Sequence, residues 1–244
     1  AKRLGNPFHL PSETSDYGIG RVLLEDAPGG SYKAIGVLST VTLNDRRDAK
    51  THGLDAHYLS GNGKWKLDSQ FFMSDIDDLK TGFGGFVDLE YTFRRGVVQR
   101  VGIEYLDDHV DLNDLGFLSR KDNFRIRTAH VRRNSNVSWA RDNEFDIRGF
   151  VQRNRDGLFT GGAVFIANRM TFENLSKLTF RASFNPEHYD DLNSFGNGAY
   201  RLARRHFGGF IWESDSSQPF SYAFGAAYQQ EDLGGGTEIV KFIA

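Results

Sequence analysis

Side chains of a β-strand point alternately to its two faces. A chain whose apolar and polar residues alternate with period two is therefore committed to sheets with one greasy and one polar side. This chain keeps that beat almost from end to end. In Val97-Val98-Gln99-Arg100-Val101-Gly102-Ile103-Glu104-Tyr105 the odd positions are mostly apolar, and the even ones include Arg100 and Glu104. Phe145, Ile147, Gly149 and Val151 oppose Glu144, Asp146 and Arg148. Leu178, Phe180, Ala182 and Phe184 oppose Lys177, Thr179, Arg181 and Ser183. Val87, Leu89, Tyr91 and Phe93 oppose Asp88, Glu90 and Thr92, while Trp65, Leu67, Phe71 and Met73 oppose Lys66, Asp68 and Gln70. The run 123–132 is less regular, because Phe124 and Ile126 share a face with Thr128 and His130, and its orientation stays open.

Runs of this kind, bounded by turn residues, lie at 17–25, 31–43, 51–59, 64–74, 82–93, 97–106, 123–132, 143–152, 158–168, 174–184, 205–213, 219–230 and 237–243. Most span about 9–13 residues, longer than the ~5–6 common in soluble sheets and matched to a tilted membrane crossing of ~9–11. The connections carry a second signal. Odd-numbered ones tend to be short (26–30, 60–63, 94–96, 169–173, 214–218), and even-numbered ones are often longer (44–50, 75–81, 107–122, 185–204). An up-and-down meander puts alternate connections at opposite ends, and outer-membrane barrels have short turns on one rim and long loops on the other. Two connections break the trend, 134–142 being long and 154–157 short for their place. The loops centred on 78, 115 and 195 are expected on one outer rim. The expected fold is all-β, an antiparallel up-and-down transmembrane β-barrel, with residues 1–244 forming one domain.

Composition fits that fold and excludes others. Thirty basic and 32 acidic residues leave a net charge of −2, without the basic stripe that nucleic-acid binding needs. Only 39% of residues are hydrophobic, so no stretch approaches the ~18 apolar residues of a spanning helix; a barrel strand needs them only at alternate positions. Phe 21, Tyr 9 and Trp 3 supply interfacial girdles, or equally the core of a sandwich. Cysteine is absent, which excludes disulfides and thiolate metal sites.

The loops are acidic: Asp75, Asp77 and Asp78; Asp107, Asp108, Asp111 and Asp114; Asp190 and Asp191. Carboxylates so spaced are candidate Ca²⁺ ligands, with Asp107, Asp108, Asp111 and Asp114 the best group, although no stretch completes an EF-hand pattern. Asp and Asn also start turns and keep loops wet, and that is the stronger reading. His109 beside Asp107 and Asp108, and His188 near Asp190, do not supply the three or four converging ligands of a zinc site. There is no Gly-x-Ser-x-Gly elbow and no Lys-Ser/Thr after the glycines 82–85, so no enzyme and no cofactor are expected. The polar faces remain. Lys66, Asp68, Asp88, Glu90, Arg100, Glu104, Glu144, Asp146, Arg148, Lys177 and Arg181 are expected to line a lumen of mixed sign. Such a lining solvates a path or cross-links itself shut, and it gives no ion selectivity.

The segment Asp111-Leu112-Asn113-Asp114-Leu115-Gly116-Phe117-Leu118-Ser119-Arg120-Lys121-Asp122 follows a strand ending in Tyr105 and precedes Phe124-Arg125-Ile126-Arg127. It resembles a signature of large Gram-negative outer-membrane barrels that carry a family 9 carbohydrate-binding-type domain at the N-terminus. Glu213–Phe220 and Glu231–Gly235 are similar to closing hairpins of that family, whose barrel is a domain of unknown function. The resemblance covers most of the chain, best from 97 to 235. It implies a location in the bacterial outer membrane, in contact with lipid and lipopolysaccharide, and a periplasmic or surface partner protein is a further expectation. It brings no catalytic residues. The family's N-terminal domain and closing aromatic strand are not matched, and 239–244 reads as a strand cut midway, so the expectation is a fragment of a larger barrel. The expected role is a passage or docking scaffold for oligosaccharide-derived material. The alternatives are a soluble β-rich carbohydrate-binding or carbohydrate-active module, and a plugged structural barrel without conductance.

Overall fold

In the computed structural model the described residues are 15–44, 48–77, 79–112, 118, 120–194 and 196–231. They form fourteen strands: β1 Ser15–Asp26, β2 Tyr32–Asn44, β3 Ala49–Leu59, β4 Trp65–Ile76, β5 Gly82–Arg94, β6 Val97–Leu106, β7 Asn123–Val137, β8 Ala140–Arg153, β9 Phe159–Thr171, β10 Lys177–Asn185, β11 His188–Asp190, β12 Tyr200–Leu202, β13 Arg205–Glu213 and β14 Ala223–Glu231. Twelve make one sheet in the order β1 through β10, then β13 and β14; β11 and β12 make a separate hairpin. Every neighbour in the large sheet is antiparallel, so the chain is an up-and-down meander with β1 and β14 at its edges. Among the described residues no helix is long and apolar enough to cross a membrane, which says nothing against crossing by strands.

Twelve of the thirteen expected strands are present, and the thirteenth, 237–243, lies outside the described residues. Two boundaries need correction. Residues 174–176 and 219–222 belong to connections rather than to β10 and β14. The expected long loop 134–142 is a tight hairpin instead, with Asn134 opposite Asn143, Ser135 opposite Asp142 and Val137 opposite Ala140. Its polar residues continue the ladder because backbone pairing asks for no apolar side chain. This removes one of the two exceptions to the alternation of connections. Connections 27–31, 60–64, 95–96, 138–139, 172–176 and 214–222 share one end, the turn rim. Connections 45–48, 77–81, 107–122, 154–158 and 186–204 share the other, the loop rim.

Polarity across the sheet is the reverse of a water-soluble fold. Phe71 is 61% exposed, Ile35 64% and Leu54 57%, whereas Asp55 is 7% and Asp146 4% exposed. The apolar sets expected for β4, β5, β6, β8 and β10 share one face through the registers of neighbouring strands, and the charged sets share the other. The unresolved orientation of β7 follows from the same registers. Arg127 is opposite Gly102, which puts Arg125 and Arg127 on the charged face and leaves Phe124 and Ile126 on the apolar one.

Candidate functional site

The charged face is held together by ion pairs between strands. On β3, Asp55 accepts from Arg21 Nη2 of β1 at 3.0 Å and stands 3.1 Å from His57 Nε2. His57 Nδ1 lies 2.8 Å from Asp68 of β4, whose second oxygen is 2.6 Å from Lys66 Nζ. A ring facing a carboxylate at each nitrogen donates from both only as imidazolium. Arg100 Nε donates to Glu90 at 2.6 Å, and Arg127 reaches across β6 to donate to Asp88 at 2.6 Å. Arg148 pairs with Asp146, while Arg133 and Arg169 converge on Glu144.

Six of the expected lumen residues meet around one cavity of about 600 Å³: Lys66, Asp68, Asp88, Glu90, Arg100 and Arg148. Its walls come from six successive strands, β4 to β9, so this face is concave there. Arg125 and Arg127 line it as well, and Arg125 stacks 4.4 Å over the Phe150 ring. Both were hidden in the sequence by the irregular alternation of 123–132. Glu104 instead turns to the loop rim, accepting from Asn123 Nδ2 at 3.2 Å. Glu144 and Asp146 do not line it: Glu144 pairs with Arg133 and Arg169, Asp146 pairs with Arg148, and Lys177 and Arg181 stand on β10, also outside the lining.

The acidic group at 107–114 is structural in the described part. Asp107 Oδ1 accepts from the His109 and Val110 N–H groups at 3.0 and 2.7 Å, and Oδ2 accepts from Phe83 N–H at 2.9 Å. Asp108 pairs with His109 and with Arg155; desolvation opposes its charge, yet a backbone hydrogen bond at Asp108 and the Arg155 and His109 side chains hold the carboxyl below the usual range. Ligand atoms of Asp107, Asp108 and His109 do lie within 4.8 Å of one another, but the Asp107 oxygens are already committed to backbone N–H groups. Asp111 offers its N–H to the Ser74 hydroxyl, and Asp114 lies outside the described residues. The turns predicted from Asp chemistry account for the group better than a cation does.

These bonds fold 107–112 back over the concave mouth. Fully buried Val110 rests on Gly82, where an added Cβ would sit 2.2 Å from the Val110 nitrogen. Across the mouth, Arg120 donates from Nη1 and Nη2 to the two oxygens of Asp191, both at 2.9 Å, and Asn154 Nδ2 adds a third bond to Asp191. Arg155 N–H donates to Asp122 at 2.8 Å. Three loop-rim connections are thereby tied together. Between them lies a second cavity, of about 490 Å³, lined by Glu104, Asn123, Arg125, Gln152, Thr160 and residues of the β11–β12 hairpin.

A comparison with protein families matches residues 36–240 to DUF5916, a domain of unknown function, and the chain belongs to that family. No curated protein and no solved structure matches it.

Proposed function

We propose that this sheet is wall of a β-barrel in a bacterial outer membrane, its apolar face against lipid and its ion-paired face around a polar interior that serves as a passage or docking scaffold. One observation carries the reading: large apolar side chains are exposed on one face while carboxylates such as Asp55 and Asp146 are buried on the other. In water that arrangement loses the hydrophobic contribution of every Phe, Ile and Leu on the outer face, at about 25 cal/mol per Å². In lipid the same face is solvated and the charges satisfy one another inside. Strands of 9 to 15 residues suit the crossing. Edges β1 and β14 need partners there, because lipid does not tolerate an unpaired edge, so further strands complete the wall. Oligosaccharide-derived material is the cargo this reading takes over from the family resemblance, where the carbohydrate-binding-type domain suggests it.

The test is the polarity around single cysteines, each bearing an environment-sensitive label, in outer-membrane vesicles. Phe145→Cys, Ile147→Cys, Phe180→Cys and Phe184→Cys are expected to report lipid, and Glu144→Cys, Asp146→Cys and Arg181→Cys water. Shielding of the first set inside a protein core would replace this reading with a soluble β-rich carbohydrate module.

A second reading has its own support. Cross-linking by Arg127–Asp88 and Arg100–Glu90, with loop-rim segments folded over the mouth, suits a plugged barrel. Steady conductance across a planar bilayer supports the passage, and silence from inserted protein supports the plug.

A further inference from the structure

The cavity walled by β4 to β9 is not of balanced sign. Five cations line it: Lys66, Arg100, Arg125, Arg127 and Arg148. Only three carboxylates, Asp68, Asp88 and Glu90, answer them in the lining. Arg125 and Arg127 make the difference, and they stand on the one strand whose facing parity left open. Half-buried Arg125 has no carboxylate partner among the described residues. Glu104, its opposite in the ladder, accepts from Asn123 at the loop rim instead. The Phe150 ring lies 4.4 Å beneath the Arg125 guanidinium and steadies it, but a phenyl ring carries no net charge to cancel.

The surplus is one of donors as well as of charge. A guanidinium carries five N–H groups. Among the described residues Arg100 spends only Nε on Glu90, and Arg127 only Nη2 on Asp88. Arg148 keeps Nη1 after bonding Asp146 through Nε and Nη2. The carboxylates are closer to used up. Asp68 faces His57 with one oxygen and Lys66 with the other, and Arg127 reaches both oxygens of Asp88. The arginines are also the more accessible partners: Arg100, Arg127 and Arg148 are 56, 40 and 59% exposed, against 29% for Asp68 and Glu90. Asp146, which answers Arg148, is buried and lies outside the lining.

We infer that this cavity binds a small anion bearing two or more carboxylate or phosphate groups. Spare N–H donors on fixed guanidinium forks match the oxygens of such groups, and charge-assisted bonds of this kind are the strong ones. The spacing asks for more than one group. Arg100 and Arg148 both stand opposite Ala129, one on each side of it, so their backbones are two strand spacings, about 10 Å, apart. The small Ala129 side chain leaves the space between them open, and Arg127 and then Arg125 follow along β7 toward the loop rim. A cation in the same place meets five like charges and carboxylates already engaged. The inference rests on the concave charged face and needs no lipid behind it, so its failure and failure of the membrane reading are separate: the cysteine labels decide the latter alone.

The experiment is calorimetric titration of the folded full chain, held in nonionic detergent, with citrate, with pyrophosphate and with putrescine as the cationic counterpart. Citrate, pyrophosphate or both are expected to bind, more weakly as salt is raised, and the preference names the anionic group. Putrescine is expected not to bind. Arg125→Gln removes the unanswered charge and is expected to weaken anion binding about tenfold. Asp88→Asn removes a lining carboxylate and frees Arg127, and is expected to tighten it by a similar factor; if Arg125→Gln does not fold, this variant decides. Arg201→Gln, which removes the same charge outside the cavity, is the control and is expected to change nothing. Absence of binding by both anions to folded protein overturns the inference. So does binding indifferent to Arg125→Gln and Asp88→Asn, or putrescine binding as tightly as the anions.

Discussion

Arg120 and Asp191 stand 71 positions apart in the chain and meet as a two-pronged pair, Nη1 to Oδ1 and Nη2 to Oδ2, each 2.9 Å. Both side chains are more than four-fifths buried. A part-buried bidentate pair of this kind holds far better than a surface one, because both charges are desolvated together and all four atoms are aligned. It fastens the 186–204 connection, and with it the β11–β12 hairpin, to the connection between β6 and β7. Asp191→Asn removes the charge and one of the two matched oxygens, and is expected to weaken the clamp by about 2 kcal/mol. Amide exchange in 188–202 should quicken about thirtyfold with the β8–β9 ladder unchanged. Equal quickening in both would show that the pair supports the whole sheet rather than the hairpin.

Acid should release the hairpin, and the order of events is fixed by its carboxylates. The Asn193 side chain and N–H, with Leu192 N–H and the Tyr200 hydroxyl, bring Asp190 down to about 2. Burial opposes the charge of Asp191, yet Arg120 and Asn154 keep its carboxyl below the usual range. A depressed folded value means that the stability each contributes is fully present above the unfolded value of about 3.9 and is lost as pH falls through the folded one. For Asp190 that window runs from about 4 down to about 2. Fluorotyrosine at position 200, whose hydroxyl donates to Asp190 at 3.1 Å, should show a fluorine shift with a midpoint near 2. A midpoint near 4 would mean that Asp190 is free in solution.

The meander was legible because period two survives wherever one face of a strand is consistently apolar, as in β6, β8 and β10. It failed to orient β7, where Thr128 and His130 share the outer face with Phe124 and Ile126, and only the register with Gly102 settles the matter. It also ended β7 too early and began β8 too late. Arg133, Asn134 and Ser135 look like a loop, but Arg133 pairs with Glu144 and the next two with Asn143 and Asp142 across the hairpin. Asp88 and Arg100 could be assigned to one charged face from the sequence because facing depends on parity alone. The rim cavity could not be read there, because Arg120, Asn123 and Thr160 come together through a long connection, a strand end and a bulge. None of those has a local pattern that announces the others.

Two glycines mark where the sheet has no room for a methyl group. At Gly82 the added Cβ meets the backbone nitrogen of Val110, and at Gly102 it falls 2.3 Å from Asp88 Oδ1 and 2.6 Å from Arg127 Nε. Gly82→Ala must lift the 107–112 segment off the mouth, because its methyl meets backbone, and Gly102→Ala must shift the Asp88 and Arg127 side chains that close over it. Gly82→Ala is expected to cost about 1–3 kcal/mol, the range for overpacking a closed site, and Gly102→Ala less, because side chains yield where backbone does not. Gly18→Ala on β1 has open space around it and is expected to be neutral or slightly stabilising. Urea midpoints of the three variants check this, and a neutral Gly82→Ala would mean that the loop does not rest where the structure puts it.

The three tryptophans all lie at the turn rim: Trp65 opens β4, Trp139 is in the two-residue turn between β7 and β8, and Trp212 closes β13. Trp65 packs 4.4 Å from Tyr91, which meets Phe93 edge-on at 4.8 Å. Trp212 lies between Phe172 and Phe224. Amphipathic rings gathered at one end of a sheet with an apolar face are suited to a bilayer interface, where the indole N–H stays wet and the ring does not. Reconstituted protein should therefore be quenched most by lipids brominated near the headgroup and least by those brominated near the chain end. Trp139→Phe is expected to reduce the intensity without changing that depth order. Strongest quenching from the chain-end bromines would place the turn rim in the hydrocarbon, and no quenching at all would take the sheet out of lipid.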